Sequence, residues 1–451
     1  MTPDPADPAD RATSGPPPPP STQKPLLIFA NRISPTMSEV SLPYLARQAL
    51  AQAPRKVWLA GPGDILASPV EIPPDFLRYA CGLLGHDPAE LAVLTVPAGV
   101  DTTLADAVRD AGLLGRVRGL ADERPGIELL PYALDRPTAE FSAETGVPLH
   151  GYGPSGVSED LLGLVHLLNS KTGFREVAGR LGLRIPAGAP CPDAVQLANA
   201  ARKMGKSCAA VVVKPDRAAN GYGVLFLSRD DPVPWERTIA RHLRELPAPP
   251  SGWIVEKCVA PALDASVQMW VEPSGARVGY VGEMRTLNGS FEGYLAPPDE
   301  RSVRAAKDAL VDMGSRFGHF LAGRGYHGPL SIDARVTPDG TAYAIESNVR
   351  RTATTTVDVL VRRLTRAHAD RPPVWLCNTR PAPRAPAGGF PAAVERLGTS
   401  GLAYDTTNGE GVVLLNDTFA LNGTCTYLVV GADHGRVREQ ERALTAALGL
   451  D

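Results

Sequence analysis

Two short runs near residue 340 read as the arms of a β-hairpin, and that hairpin sets what the rest of the chain must support. The first is Leu330-Ser331-Ile332-Asp333-Ala334-Arg335-Val336 and the second is Tyr343-Ala344-Ile345-Glu346-Ser347-Asn348. Thr337-Pro338-Asp339-Gly340 between them carries turn chemistry. In the first arm Leu330, Ile332, Ala334 and Val336 alternate toward a core, which leaves Ser331, Asp333 and Arg335 on the other face. In the second arm the alternation puts Ala344, Glu346 and Asn348 together, with Tyr343 and Ile345 opposite. A four-residue turn predicts Asp333 opposite Ala344, with Glu346 a diagonal neighbour roughly 7–8 Å away at the backbone. Two carboxylates and an amide oxygen so placed are hard ligands, suited to magnesium beside a phosphate. Any one of these acids alone reads equally well as a solvated surface group. Three ligands on aligned faces favour a site.

Such a hairpin needs a large support, and 451 residues allow two to three domains, each with its own core. The net charge of -3, with 43% hydrophobic and 21% charged residues, selects neither nucleic acid nor a membrane surface as partner. Basic groups must therefore act locally. No run is long and apolar enough to cross a bilayer, and no basic stretch leads into an apolar one at the N-terminus. Cys81, Cys191, Cys208, Cys258, Cys377 and Cys425 contain no CxxC pair and read as buried free thiols, so the expected location is cytoplasmic. Residues 1–24 are rich in Pro, Asp and Ser, and are expected to form a disordered tail.

Strands and helices alternate after the tail. Leu26 to Ala30 is a buried-strand run, Ser38 to Ala51 a helix, and Val57 to Ala60 a second strand broken by Gly61-Pro62-Gly63. Leu91 to Val96 and Ile127 to Leu130 read as further strands, with Ala105 to Leu114 helical between them. This is the pattern of a parallel sheet covered on both faces, a Rossmann-like α/β domain over residues 25–150. It lacks GxGxxG, so it is not read as a dinucleotide site. Past Gly151-Tyr152-Gly153-Pro154, the expected second domain spans 151–376. It opens with two helices, the second stopped by Gly182. A smaller lobe follows at about 185–255, with strands Ala210 to Lys214, Val224 to Leu227 and Trp253 to Glu256. Antiparallel strands at 265–271 and 277–284, then an amphipathic helix at about 301–323, lead into the hairpin. Residues 377–451 are expected to be a linker and a C-terminal α/β segment on the same core, with strands near Val412 to Leu415 and Cys425 to Val430 and a closing helix from Arg436.

Taken together, these pieces resemble the ATP-grasp ligases over roughly residues 150–370, with the preceding α/β domain resembling their pre-ATP-grasp domain. The spacing of Asp333, Glu346 and Asn348, after Gly325 and Gly328, is similar to the D-alanine–D-alanine ligase branch. The whole length is most similar to ATP-grasp peptide ligases of the pheganomycin type. The resemblance implies a fold that is α/β throughout, α+β in the nucleotide-binding part, with two lobes around ATP and magnesium. It implies Asp333, Glu346 and Asn348 as metal ligands, and Lys171 and Lys214 on the nucleotide phosphates. It implies the segment Glu256, Lys257 and Val259 as adenine hinge, acting through backbone groups, and Asp264 as the ribose-binding acid.

The residue chemistry supports part of this by itself. Lys214 ends a buried apolar strand, where a compact cation suits a phosphate tail, although a snorkelling lysine is the plain alternative. In the loop after it, Asn220, Gly221, Tyr222 and Gly223 can direct backbone N–H groups at phosphates, and the same residues also read as a hairpin turn. Arg350 and Arg351 follow Asn348, and a guanidinium can clamp a carboxylate or the γ-phosphate by paired hydrogen bonds. Arg350 stands where the family often has arginine. Ser331 stands where the D-alanine branch has its acyl-phosphate arginine, which moves that role to Arg285 and removes D-alanine specificity. Arg362, Arg363, Arg366 and Arg371 read as a solvated helix face, or as a guide for a peptide's acidic groups. Glu283, Ser290 and Glu292 are further candidates near the acyl substrate, while His327 reads as structural.

The expected activity is ATP-dependent, ADP-forming ligation of an unusual amino acid carboxylate to a peptide N-terminal amine, in peptide natural-product biosynthesis. The alternatives are a small-molecule kinase on the same scaffold and a non-catalytic nucleotide-binding protein. The partners implied are a small amino acid-like carboxylate and a peptide acceptor, without nucleic acid or membrane. A homodimer is compatible with the sequence.

Overall fold

The computed structural model describes residues 24–450 apart from 40–41, 219–220, 261, 288–289, 384–385 and 387. The tail expected at 1–24 lies outside the described residues except for Lys24, whose ammonium donates to Glu128 at 2.6 Å.

Three sheets form among the described residues. The first holds β1 (Leu26–Phe29), β2 (Ile65–Ser68), β3 (Ala92–Thr95) and β4 (Glu128–Pro131), all parallel, in the order β3-β2-β1-β4. The second is antiparallel: β5 (Gly188–Cys191), β6 (Ala210–Pro215), β7 (Leu225–Ser228) and β8 (Trp253–Lys257), ordered β5-β8-β6-β7. The third carries β9 (Leu263–Glu272), β10 (Gly275–Leu287), β11 (Ser290–Ala296), β12 (Gly328–Val336), β13 (Ala342–Asn348), β14 (Val374–Pro381), β15 (Gly411–Leu414) and β16 (Thr424–Gly431). Its order is β13-β12-β9-β10-β11-β14-β16-β15, antiparallel throughout. The expected mixed α/β class is thus present, with a Rossmann-like parallel sheet at the N-terminal end. β14 runs across residues 376 and 377, so the C-terminal segment extends the third sheet itself.

The long helix Lys307–Ala322 packs on β9 and β10, burying Leu310, Met313, Phe317 and Leu321 against Val267 and Met269. Burying such side chains contributes roughly 1.5–3 kcal/mol each. A short helix, Arg301–Ala305, precedes it with a break at Ala306. Glycine makes the sheet's close approaches possible: a Cβ on Gly282 would lie 2.2 Å from the Tyr294 ring.

One expected strand is a helix. Ala53–Leu59 is a 3-10 helix, and the strand lies beyond the Gly61-Pro62-Gly63 break, at β2. Val57 and Trp58 are fully buried, with the Trp58 indole donating to Leu415 O at 2.9 Å. An apolar run buried on all sides shows no period, so periodicity cannot separate strand from helix there. The helix expected from Ser38 is confined to Pro43–Leu50, after Val40 and Ser41, which lie outside the described residues. The helix expected at Ala105 to Leu114 divides into Leu104–Asp110 and Leu114–Asp122.

The arginine group near residue 365 is partly structural. Arg363 donates to Trp58 O, Leu59 O and Ala60 O, satisfying the open carbonyls of the 3-10 helix, and Arg362 pairs with Asp358. The six cysteines are unpaired. Among the described residues no helix is long and apolar enough to cross a membrane.

Candidate active site

A cavity of about 360 Å³ opens where the three sheets meet, within the range of ligand sites. The β12–β13 hairpin supplies one wall, with a register different from the one the sequence predicts. Asp333 pairs directly with Glu346, and the register slips between Asp333 and Ala334, which pairs with Ala344. Ile345 is the extra residue of a bulge. It turns Ala344 into the core and leaves Ile345, Glu346 and Asn348 on the cavity, so Ala344 and Glu346 do not share a face. The bulge, with a turn of five residues (337–341) in place of the four expected, brings the two carboxylates opposite one another instead of diagonal.

Asp333 Oδ1 accepts from Ser266 Oγ at 2.8 Å, and Oδ2 from Asn348 Nδ2 at 3.0 Å. Burial, then the Glu346 charge, pushes the Asp333 carboxyl up to about 7. Burial works to raise Glu346 as well, but the Lys171 and Lys214 ammonium groups outweigh it and hold Glu346 below its ordinary value. Lys171 Nζ is 3.3 Å from Glu346 Oε2. Asn348 donates its nitrogen to Asp333 and to Ser331 Oγ, which leaves its side-chain oxygen for another partner. Among the described residues no three His, Cys, Asp or Glu side chains cluster as a ligand set. The donors here are two half-buried carboxylates and an amide oxygen, a set that fits magnesium.

Lys171 opens the helix Lys171–Arg180, whose N-cap Ser170 accepts from Gly173 N at 3.1 Å. Asp216 holds that end through Lys171 N and Thr172 N. Lys214 leaves β6 on the cavity side, its ammonium bonded to Glu256. The Glu256 side chain, which carries no weight in the sequence, is buried and also accepts from Arg175 at 3.0 Å. It is a fixed anion orienting Lys214, beyond any backbone role at the hinge. Lys257 and Val259 also line the cavity. So does Asp264, with Oδ1 on Arg335 at 2.8 Å and Oδ2 on Thr286 Oγ1 at 2.6 Å.

Of the glycine loop, Gly221 and Tyr222 line the cavity, and Asn220 lies outside the described residues. The Tyr222 hydroxyl bonds both Ala248 O and Ala248 N, tying the loop down. Gly223 does not line the cavity. It has φ +68° and sits where a Cβ would be 2.8 Å from Pro215.

Residues 53–147 match the family model of the Pre ATP-grasp domain, and residues 392–444 that of the PGM1 C-terminal domain. The chain is 25% identical over 371 residues to the L-propargylglycine–L-glutamate ligase of Streptantibioticus cattleyicolor, covering 75% of this chain and 74% of that protein. Biotin carboxylase from Campylobacter jejuni superposes with a TM-score of 0.60 at 12% identity, over 96% of this chain and 93% of that one. L-amino acid ligase from Bacillus licheniformis gives 0.53 at 15% identity, over 94% and 98%. The chain shares the ATP-grasp fold of these structures.

In this ATP-grasp cavity the arginines divide. Arg350 lines it, with NH1 on Asn169 Oδ1 at 2.7 Å and a buried Nε that has no partner. Arg285 does not line it, which corrects the acyl-phosphate role given to it. Met284 and Thr286 face the cavity, while Arg285 binds both Glu441 oxygens, at 2.8 and 3.1 Å. Glu441 also accepts from Tyr427 and Asn378. The alternation of β10 sets this division. Sequence reasoning missed Arg32, Tyr132 and Asn169, which come from the N-terminal part and the preceding helix. For Arg32 a signal exists: it stands three residues past a buried parallel strand, where such sheets bind ligands.

Proposed function

We propose that this chain joins an amino acid carboxylate to the amine of a second amino acid or peptide, with ATP spent to ADP, in the assembly of a peptide natural product. The observation that carries the reading is the convergence of Lys171, Lys214, Asp333, Glu346, Asn348 and Arg350 on one cavity. The relative from Streptantibioticus is named for joining two amino acids, one of them L-propargylglycine, which supports an amine acceptor and an unusual amino acid.

A carboxylate oxygen attacks the γ-phosphorus, the new O–P bond replaces the bond to the bridging oxygen, and ADP leaves. The acceptor amine then adds to the acyl carbon, and collapse of the tetrahedral adduct expels phosphate while the amine proton passes to solvent. Asp333, Glu346 and Asn348 would hold magnesium, which supplies charge neutralisation across the phosphates. Lys214, fixed by Glu256, and Lys171 place ammonium groups at the phosphate tail. Arg350 offers its unpartnered N–H to the reacting carboxylate and the acyl phosphate it becomes. Catalysis by these groups is positioning and electrostatic stabilisation, without a covalent enzyme intermediate. The reading takes 25–150 as the pre-ATP-grasp domain and 151–376 as the ATP-grasp domain, with its small lobe at about 185–255.

The test uses the purified chain with ATP, magnesium and a panel of amino acids and short peptides. ADP, free phosphate and an amide product should appear in equal amounts, and only when both substrates are present. A stable phosphorylated compound would identify a small-molecule kinase. Nucleotide binding without turnover across the panel would identify a non-catalytic binding protein.

A further inference from the structure

The parallel sheet reverses its strand order at β1: β2 and β3 lie to one side and β4 to the other. Open α/β sheets take ligands outside the carboxyl ends of the strands at such a point. Arg32 follows β1 there and Tyr132 follows β4, and both line the cavity. The Arg32 guanidinium lies 4.2 Å and the Lys56 ammonium 4.3 Å from the centroid of the Tyr132 ring. Lys56 and Arg55 come from the 3-10 helix Ala53–Leu59 and are only 3% and 7% exposed.

The neighbours of these cations are neutral. Lys56 Nζ donates to Thr356 Oγ1 at 3.0 Å, Arg55 to Gln52 Oε1 at 3.1 Å and Arg32 to Ala49 O at 3.3 Å. Arg350 adds its buried, unpartnered Nε, and Arg351 is buried with its guanidinium over Trp270. Among the described residues Arg32, Arg55, Lys56 and Arg351 form no ion pair with a carboxylate, while Arg350 lies in the field of Glu346 and Asp333. Burial pulls Lys56 well below the ordinary lysine value, and Arg32, Arg55 and Arg351 push it the same way. Buried charge without a counter-charge is costly, and an anion beside it offsets that cost. The helix Ala353–Leu364 points its N-terminal end at the same place: Thr352, Ala353 and Thr354 line the cavity, and its first turn holds no acid.

We propose that the crevice between Arg32, Tyr132 and the first turn of the helix Ala353–Leu364 binds a substrate carboxylate that does not react. Arg32 is the direct contact, and Lys56 and Arg55, behind Tyr132, supply further positive charge. The proposal rests on the ligase reading for the identity of the molecule that carries this group. The reacting carboxylate belongs beside Arg350 and the metal ligands, so a second carboxylate held in the crevice fixes which substrate enters and how it lies. The enzyme therefore selects an acidic amino acid or a peptide with a free carboxyl terminus over the corresponding amide.

Calorimetric titration of the full chain with magnesium and ADP tests this with four probes: glutamate, glutamine, alanyl-alanine and alanyl-alanine amide. Losing one partner of a buried charge pair weakens binding on the order of 30-fold or more. A preference of that size for glutamate over glutamine assigns the crevice to a side-chain carboxylate, and the same preference within the dipeptide pair assigns it to a chain terminus. Arg32→Gln and, separately, Lys56→Met should bring the acid-to-amide ratio toward one. Arg32 is partly exposed, so its variant decides the matter if Lys56→Met does not fold. No acid preference in either pair, an undiminished preference in Arg32→Gln, or no binding of any probe overturns the proposal. Failure of the ligase reading shows separately, as absence of ADP release with every substrate pair.

Discussion

Glu346 is where the charges of the cavity meet: Lys171 and Lys214 hold it ionised, and it in turn pushes Asp333 up. Glu346→Gln removes one metal ligand and the counter-charge for both lysines. Lys214→Ala removes the cation that Glu256 orients. Each should cut turnover roughly 10²-fold or more while leaving the far-ultraviolet circular dichroism unchanged. Near-native turnover in either would place the site elsewhere. Arg285 belongs to a different account. Its partner Glu441 is only 7% exposed, and although burial works to raise that carboxyl, Arg285 and the Tyr427 and Asn378 hydrogen bonds hold it below its ordinary value of 4.5. A lowered carboxyl stabilises the fold above pH 4.5, and the benefit is lost as the pH falls through the lower folded value. Glu441→Gln should therefore cost about 3 kcal/mol at neutral pH in urea unfolding, with the gap to the wild type closing in acid. A gap independent of pH contradicts that origin. Arg285→Gln should lower stability and leave the KM for ATP unchanged.

At the scale of elements, the helix Lys171–Arg180 positions the first lysine through a close crossing. A Cβ on Gly173 would lie 2.3 Å from Leu167 O, so this glycine lets the two successive helices meet. Gly173→Ala should cost about 3 kcal/mol and shift Lys171 away from Glu346, lowering both the melting temperature and turnover. An unchanged melting temperature would show that the crossing can relax. The β12–β13 hairpin was legible because Leu330, Ile332, Ala334 and Val336 carry a clean period of two. Its register was not, because a bulge leaves no mark in composition: Ile345 is as good a strand residue as any and is simply extra. Deleting Ile345 should close the bulge and leave Glu346 opposite Asp333 on the cavity face, so turnover should survive. Lost turnover would mean that the bulge does more than set the register. The run around Trp58 was misread for the related reason that full burial erases the period.

At the scale of the whole molecule, the cavity draws on residues from Arg32 to Thr354, so no local stretch of sequence contains it. Lys171, Lys214, Asp333, Glu346 and Asn348 were legible because each stands at a strand end, helix start or hairpin face. Arg32 was marked only by its place past β1, and Lys56 by nothing, because its neighbours come together only when the parallel sheet docks against the helix Ala353–Leu364. That docking is apolar at its centre, where Val57 and Trp58 cluster with Val357 and Leu360, and polar at Lys56, whereas the hold on the small lobe is polar. Arg217, 4% exposed, binds Glu39 at 3.1 Å, Thr36 O and His166 O, and Ser251 also binds Glu39. The three sheets thus enclose a site built for charge, with Asp333 and Glu346 on the hairpin, Glu256 and Asp264 on other strands, and cations between them. The claim that this site activates a carboxylate as an acyl phosphate is tested most directly with an acyl substrate carrying ¹⁸O in its carboxylate. The account predicts one ¹⁸O atom in each phosphate released, in step with ADP and amide product. Phosphate free of ¹⁸O while amide accumulates would contradict it.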